Sequence, residues 1–169
     1  MTDRPDAGAH ETDRIDITVG VEPGTLDSVR EILAEYAELP HNVGRQHGTG
    51  EELAGLPAPY VPPHGDILTA RSDGGLVGCV VLARLEEDTC EMKRLYVRDV
   101  ARGRGLGRRL VEAVLRRAVE LGYHRMRLDT APELGAARAL YDSMGFRRIE
   151  PYHDRYADPI CFEFDLISA

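Results

Sequence analysis

Arg102-Gly103-Arg104-Gly105-Leu106-Gly107 has the composition of an anion-holding turn. It follows a strand-like run over residues 90–97 and opens a long amphipathic helical pattern. Backbone N–H groups at a helix start lack intrahelical acceptors, and together with the positive end of the helix dipole they suit phosphate oxygens. Glycine lets the backbone approach where a side chain would hold the anion away. Arg102, Arg104 and Arg108 add charge and forked donors. The spacing tells against two familiar phosphate-binding loops. A dinucleotide fingerprint G-x-G-x-x-G needs glycine where Arg108 stands, and an ATP-type loop needs lysine after Gly107. What remains is R-x-x-G-x-G after a strand, or else an ordinary strand-to-helix turn with solvated arginines.

The elements that must position this turn can be read from periodicity. Ile15, Ile17, Val19 and Val21 alternate as a first strand. Leu26, Val29, Leu33, Tyr36 and Ala37 then recur at helical spacing, with Thr25 or Asp27 as the expected cap and Pro40 as the stop. Residues 41–64 are rich in glycine and proline, a long loop with a short helical turn over 50–56. Residues 66–71 and 76–85 form a hairpin about Ser72-Asp73-Gly74-Gly75. A turn over 86–89 feeds the strand 90–97 and so the glycine turn. Leu106, Leu110, Val114, Ala118 and Leu121 make the next helical stripe, closed by Gly122. Residues 125–130 form a short strand, and Thr130-Ala131-Pro132-Glu133 has the pattern of a capping box. A helix over 133–144 carries Leu134, Ala137, Leu140, Tyr141 and Met144 on one face. The last strands are 146–149 and 160–167. The order β-α-loop-β-β-β-α-β-α-β-β implies a single α+β domain with a mixed, largely antiparallel sheet flanked by helices.

At 169 residues the chain fits one domain, with residues 1–14 expected to be a disordered polar lead-in and 15–169 the domain. No run of eighteen apolar residues occurs, so a membrane partner is not expected. The three cysteines, Cys79, Cys90 and Cys161, match no metal spacing and read as small buried hydrophobes in a reducing, cytoplasmic setting. The net charge of −8 argues against nucleic-acid binding. Between Lys93 and Arg109, however, seven basic residues stand against Asp99 alone, a surplus of +6 that leaves −14 elsewhere. A cationic spot on an acidic body suits a compact polyanion. The six histidines show no metal spacing, so no metal is expected, and His41, His47 and His64 read as solvated loop residues.

The glycine turn, in this position, resembles the acyl-coenzyme A pyrophosphate loop of the GNAT superfamily of N-acetyltransferases. Two further stretches strengthen the resemblance: 91–97, similar to the superfamily's fourth strand, and Leu140-Tyr141-Asp142-Ser143-Met144-Gly145-Phe146, similar to its late L-Y-x-x-x-G-F helix end. The element order is similar from about Ile15 to Leu166. The resemblance implies an acetyl-CoA-dependent enzyme that moves an acetyl group to a primary amine of a small molecule or protein. In that scheme Leu95, Tyr96 and Val97 hold the pantetheine arm, with the Val97 N–H near the thioester oxygen. The backbone and side chains of Arg102, Gly103, Arg104, Gly105, Leu106, Gly107 and Arg108 take the pyrophosphate. Tyr141 is the general acid beside the departing sulfur, against the alternative of a core tyrosine. Glu91, eleven positions before Arg102, is either a base for the amine or a solvated strand residue. Asp129 and Thr130 end a strand beside the site, and the loop 41–64 is an acceptor-side lid or a plain connection. One position departs from the family. Leu134 stands where many members carry an asparagine that contacts the cofactor. A non-catalytic acyl-CoA sensor of the same fold is the competing function, and a homodimer is plausible from exposed sheet edges.

Overall fold

Strands and helices alternate in the order that the patterning implies: β1 (Asp16–Val19), α1 (Leu26–Ala37), α2 (Gly50–Gly55), β2 (Asp66–Ser72), β3 (Gly75–Arg84), β4 (Thr89–Val97), α3 (Leu106–Glu120), β5 (Arg125–Thr130), α4 (Gly135–Ser143), β6 (Arg147–Ile149) and β7 (Ile160–Asp165). Short 3-10 turns occupy Pro40–Asn42 and Asp99–Ala101. The structure is a computed structural model and describes residues 14–43 and 50–168. Most of the expected polar lead-in (residues 1–13) lies outside the described residues, as does His47. Among the described residues no helix is long and apolar enough to cross a membrane.

The strands form one seven-stranded sheet in the order β1-β2-β3-β4-β5-β7-β6. Five neighbouring pairs are antiparallel, and β4–β5 is parallel. The fold is thus the α+β architecture expected, with a mostly antiparallel sheet. Each face has its own core, because strand residues alternate between faces. One face sets Leu68, Val80, Leu82, Met92, Met126 and Phe162 against Leu106, Leu110, Val111 and Val114 of α3. The other sets Ile67, Cys79 and Val81 against Val29, Ile32 and Leu33 of α1. The three cysteines are free and buried. Burial pushes the Cys79 and Cys90 thiols up to about 12.

Two contacts fix α3 on the sheet. A Cβ on Gly78 would meet Leu110 Cδ1 and the Tyr96 carbonyl at 3.1 Å, so glycine there lets the helix sit close. Farther along, buried Asp66 accepts from Arg117 Nε at 2.8 Å and from the Ile67 N–H at 2.9 Å. Arg117 is itself only partly buried and also reaches Glu120 at 2.9 Å.

Helix starts depart from the sequence expectations. Thr25 occupies the N-cap position of α1 but makes no capping bond; its hydroxyl donates to the Glu22 carbonyl at 2.9 Å. The expected capping box at Thr130 does not form either. Thr130 is the last ladder residue of β5, paired with Ile160, and α4 begins only at Gly135, with Leu134 as its N-cap. A residue held in a ladder cannot also set the first turn of a helix five positions on.

Candidate active site

The glycine turn lies between β4 and α3, as its spacing requires. Gly103 and Gly105 adopt φ of +72° and +70°, a region that favours glycine, and Gly105 is the N-cap of α3. The backbone N–H groups of Gly103, Gly105, Leu106, Gly107 and Arg108 donate to no other backbone group among the described residues; the first such bond belongs to Arg109, to the Gly105 carbonyl. Cβ atoms built on Gly103 and Gly105 would meet nothing within 4 Å. The turn therefore offers clustered donors and free space at a helix N-terminus.

The cationic surplus read from sequence is largely paired in space. Arg94 pairs with Glu52, Arg98 with Glu35, and Arg102 with Asp99 at 2.7 Å. Arg108 Nη2 donates to the Ser143 hydroxyl at 2.6 Å, and Arg109 Nη2 to the Ile15 carbonyl at 2.7 Å. Two of these partners, Glu35 and Glu52, are acids from distant parts of the chain; Asp99 is local, and Arg108 and Arg109 bond to neutral oxygens. What the turn keeps for an anion is chiefly backbone.

Beside the turn, the sheet opens. β4 and β5 pair only at Thr89–Arg125, Cys90–Met126 and Glu91–Arg127. Beyond Glu91 the two strands part, so Met92 to Val97 have β3 on one side and, among the described residues, no strand on the other. A bulge sharpens the divergence: between the pairs Cys79–Tyr96 and Val81–Lys93, the two residues Arg94 and Leu95 stand opposite Val80 alone. Arg94 has φ of +54°, uncommon for a residue with a side chain. The resulting cleft, about 100 Å³, is lined by residues including Tyr36, Arg94, Leu95, Asp129, Leu134 and Tyr141. Leu95 and Tyr141, both singled out in sequence, thus meet in one cavity. Tyr96 is not among the residues lining the cleft; its ring lies 6.3 Å from that of Tyr36 and its hydroxyl contacts Glu35 at 3.4 Å. The Val97 carbonyl accepts from Arg102 Nε at 3.1 Å.

Tyr141 is fixed by its ring and free at its hydroxyl. The ring lies 5.6 Å from Phe146 and 5.7 Å from Phe162. The residue is 5% exposed, lines the cleft, and its hydroxyl makes no hydrogen bond among the described residues. A core tyrosine normally satisfies its hydroxyl. Burial, reinforced by Tyr36 and Asp129, pushes this phenol well above its ordinary range, so it stays protonated at neutral pH.

Glu91 is not solvated. It is 3% exposed and accepts from the Tyr152 hydroxyl at 2.9 Å and from Arg155, with Lys93 Nζ 3.7 Å away. Asp129 joins the cluster through Tyr156, through Arg155 Nη2 at 3.5 Å and through His153 Nε2 at 3.3 Å. Burial, then the charges of Glu91 and Asp129, push the Tyr152 phenol upward. Glu91, Asp129 and His153 each bring one ligand-type atom within 4.8 Å of the others. Arg155 already supplies the cation between the two carboxylates, which disfavours a metal ion there.

Sequence reasoning missed the Tyr152–Tyr156 loop as part of this cluster. Its signal was the aromatic and charged run Tyr152-His153-Asp154-Arg155-Tyr156 between two strands. It also took His41 for a solvated residue, whereas His41 lines the cleft with its ring 6.4 Å from that of Tyr36. His64 is exposed as expected, with Nδ1 3.3 Å from Arg84 Nη1.

The chain matches known proteins in sequence and in fold. Residues 26–146 match the family model described as the acetyltransferase (GNAT) family. An uncharacterized N-acetyltransferase of Schizosaccharomyces pombe is 40% identical over 141 residues, spanning 82% of this chain and 84% of that protein. A GNAT-family acetyltransferase of Staphylococcus aureus Mu50 superposes with a TM-score of 0.76 at 20% identity, covering 90% of this chain and 99% of that one. The Salmonella typhimurium protein yncA, solved with acetyl-CoA, superposes with a TM-score of 0.68 at 20% identity, covering 89% and 94%. At these identities the two superpositions establish a shared fold.

Proposed function

The chain belongs to the GNAT acetyltransferase family, and from that membership we propose that it moves the acetyl group of acetyl-CoA to a primary amine by direct attack on the thioester. The observation that carries this reading is the open β4 edge leading straight into a turn of unpartnered amides. An extended thioester carrier with a pyrophosphate fits both halves: the strand edge offers peptide groups, and the turn offers donors at a helix N-terminus. The carrier's presence in yncA supports the same assignment.

Bound acetyl-CoA would supply an activated thioester, whose carbonyl carbon bonds to the amine nitrogen as the carbon–sulfur bond breaks and the thiolate leaves. The chain's own residues do the rest. The Gly103–Arg108 amides hold the phosphates, and Leu95 and the β4 edge orient the arm toward the cleft. Holding two reactants in one cleft supplies a large share of the rate. Tyr141 donates a hydrogen bond to the departing sulfur. A phenol held above its ordinary range of about 10 is a poorer acid than a thiol near 8.5. Tyr141 therefore stabilises the developing charge more than it surrenders its proton, and the thiolate's final proton comes from solvent. In the cleft the carboxylate of Asp129, with Glu91 linked to it through Arg155, attracts the ammonium form of the acceptor, and the pair accepts the proton it must lose before attack. Glu91 does so only by exchanging one of its present partners, Arg155 or Tyr152. We assign the reaction to the cytoplasm, in keeping with three free buried thiols.

The test is thiol release from acetyl-CoA across a panel of amines. An enzyme releases thiol only when both acetyl-CoA and an acceptor are present. A sensor would bind acetyl-CoA with no release for any amine, and that result would overturn the proposal.

A further inference from the structure

Arg94 sits where three unusual features coincide. Its backbone is in the left-handed region at the β4 bulge. Its side chain is 3% exposed. Its Nε and Nη1 atoms are buried without a hydrogen-bond partner among the described residues. The remaining nitrogen, Nη2, pairs with Glu52 of α2, which also accepts from Tyr60, and the Tyr60 ring lies 5.6 Å from the guanidinium carbon. Buried guanidinium donors are normally paired, since each unmade bond to a charged group is costly. A strained residue at a cleft, with unmade charged bonds, points to a ligand.

The cleft is polarised. Arg94 contributes a cation on the side of α1 and α2, and Asp129 an anion on the side of β5. The Tyr36 hydroxyl senses both: after burial and its bond to Asn42, Arg94 draws its pKa down and Asp129 drives it up. An acceptor lying across this cavity meets a carboxylate at one end and a guanidinium at the other.

We infer that the acceptor is a small amino carboxylate, its ammonium group toward Asp129 and its carboxylate bound by the unpartnered donors of Arg94. The inference rests on the acetyl-transfer reading above and narrows it to a substrate class. Arg94 is then a specificity-determining residue, with Glu52 and Tyr60 holding its guanidinium in place. A simple monoamine would leave the Nε and Nη1 donors of Arg94 unmet and is disfavoured. The cavity of about 100 Å³ favours a compact acceptor.

The experiment is thiol release from acetyl-CoA with a set of amino acids, each measured beside its amide and its decarboxylated amine. A site built to bind a polar group rejects the analogue lacking it strongly, so at least one amino carboxylate should exceed both its analogues in kcat/KM by about 100-fold or more. Arg94→Gln should erase that preference through KM, while Arg94→Lys keeps part of it. The acetyl-CoA-induced rise in melting temperature, measured on each variant, shows that the fold and the carrier site survive. Amides and decarboxylated amines that turn over as well as the amino acids would overturn the inference and leave acetyl transfer standing. Absence of release with every panel member, in protein that still binds acetyl-CoA, would also overturn it. Absence of both release and the melting shift would remove the acetyl-transfer reading itself.

Discussion

Gly105→Val abolishes the thermal stabilisation that acetyl-CoA gives the parent protein. A ligand at 100 times its Kd stabilises by about 2.7 kcal/mol. For a chain of this size that is a rise in melting temperature of roughly 5–10 °C. Gly105 adopts φ of +70° at the N-cap of α3, beside the unpartnered amides of Leu106, Gly107 and Arg108. A Cβ there would meet nothing within 4 Å among the described residues. It would instead stand in the space that a phosphate needs, and a β-branched side chain fills more of it. The backbone strain of valine in the left-handed region, about 1–3 kcal/mol, is a separate effect. It shows as a lower melting temperature without ligand. Calorimetry or dye-monitored melting of both proteins, with and without acetyl-CoA, separates the two. A variant that keeps the full ligand shift would move the phosphate site away from this turn.

Tyr141→Phe lowers kcat by about 100-fold, the lower end of what a positioned proton donor contributes. The substitution keeps the ring contacts with Phe146 and Phe162, so stability and acetyl-CoA affinity change little. The hydroxyl has no partner in the described structure whose loss could account for a rate effect by another route. Steady-state kinetics at saturating acetyl-CoA, paired with the melting shift, gives the split between kcat and binding. Unchanged kcat would make Tyr141 a packing residue only.

The region around the glycine turn was legible because its constraints are local. Positive φ at Gly103 and Gly105 demands glycine, and the alternation in β4 and the stripe of α3 place that turn between a strand and a helix. The late helix was legible in outline, although α4 starts two residues later than its apolar pattern suggested. The bulge was not. Neither glycine nor proline marks Arg94, and its left-handed backbone follows from how β3 and β4 register over their whole length. The surroundings of Glu91 were hidden for a related reason. Its partners Tyr152 and Arg155 lie 61 and 64 positions away, and only the sheet's closure by β7 and β6 brings their loop over β4. Charge counts along the sequence misled in the same way. Glu35 and Glu52, far from the arginine cluster in sequence, pair with Arg98 and Arg94 in space. Local backbone chemistry leaves a signature in the residue types themselves, whereas long-range pairing of charges does not.

The most direct measurement is amide hydrogen exchange over residues 103–108, with and without acetyl-CoA. Amides that donate to no other backbone group exchange quickly in the free protein. If they grip the pyrophosphate, exchange slows by about 100-fold at 100 times Kd, because only the unbound fraction exchanges. Unchanged exchange across this turn, in protein saturated with acetyl-CoA, would contradict the account.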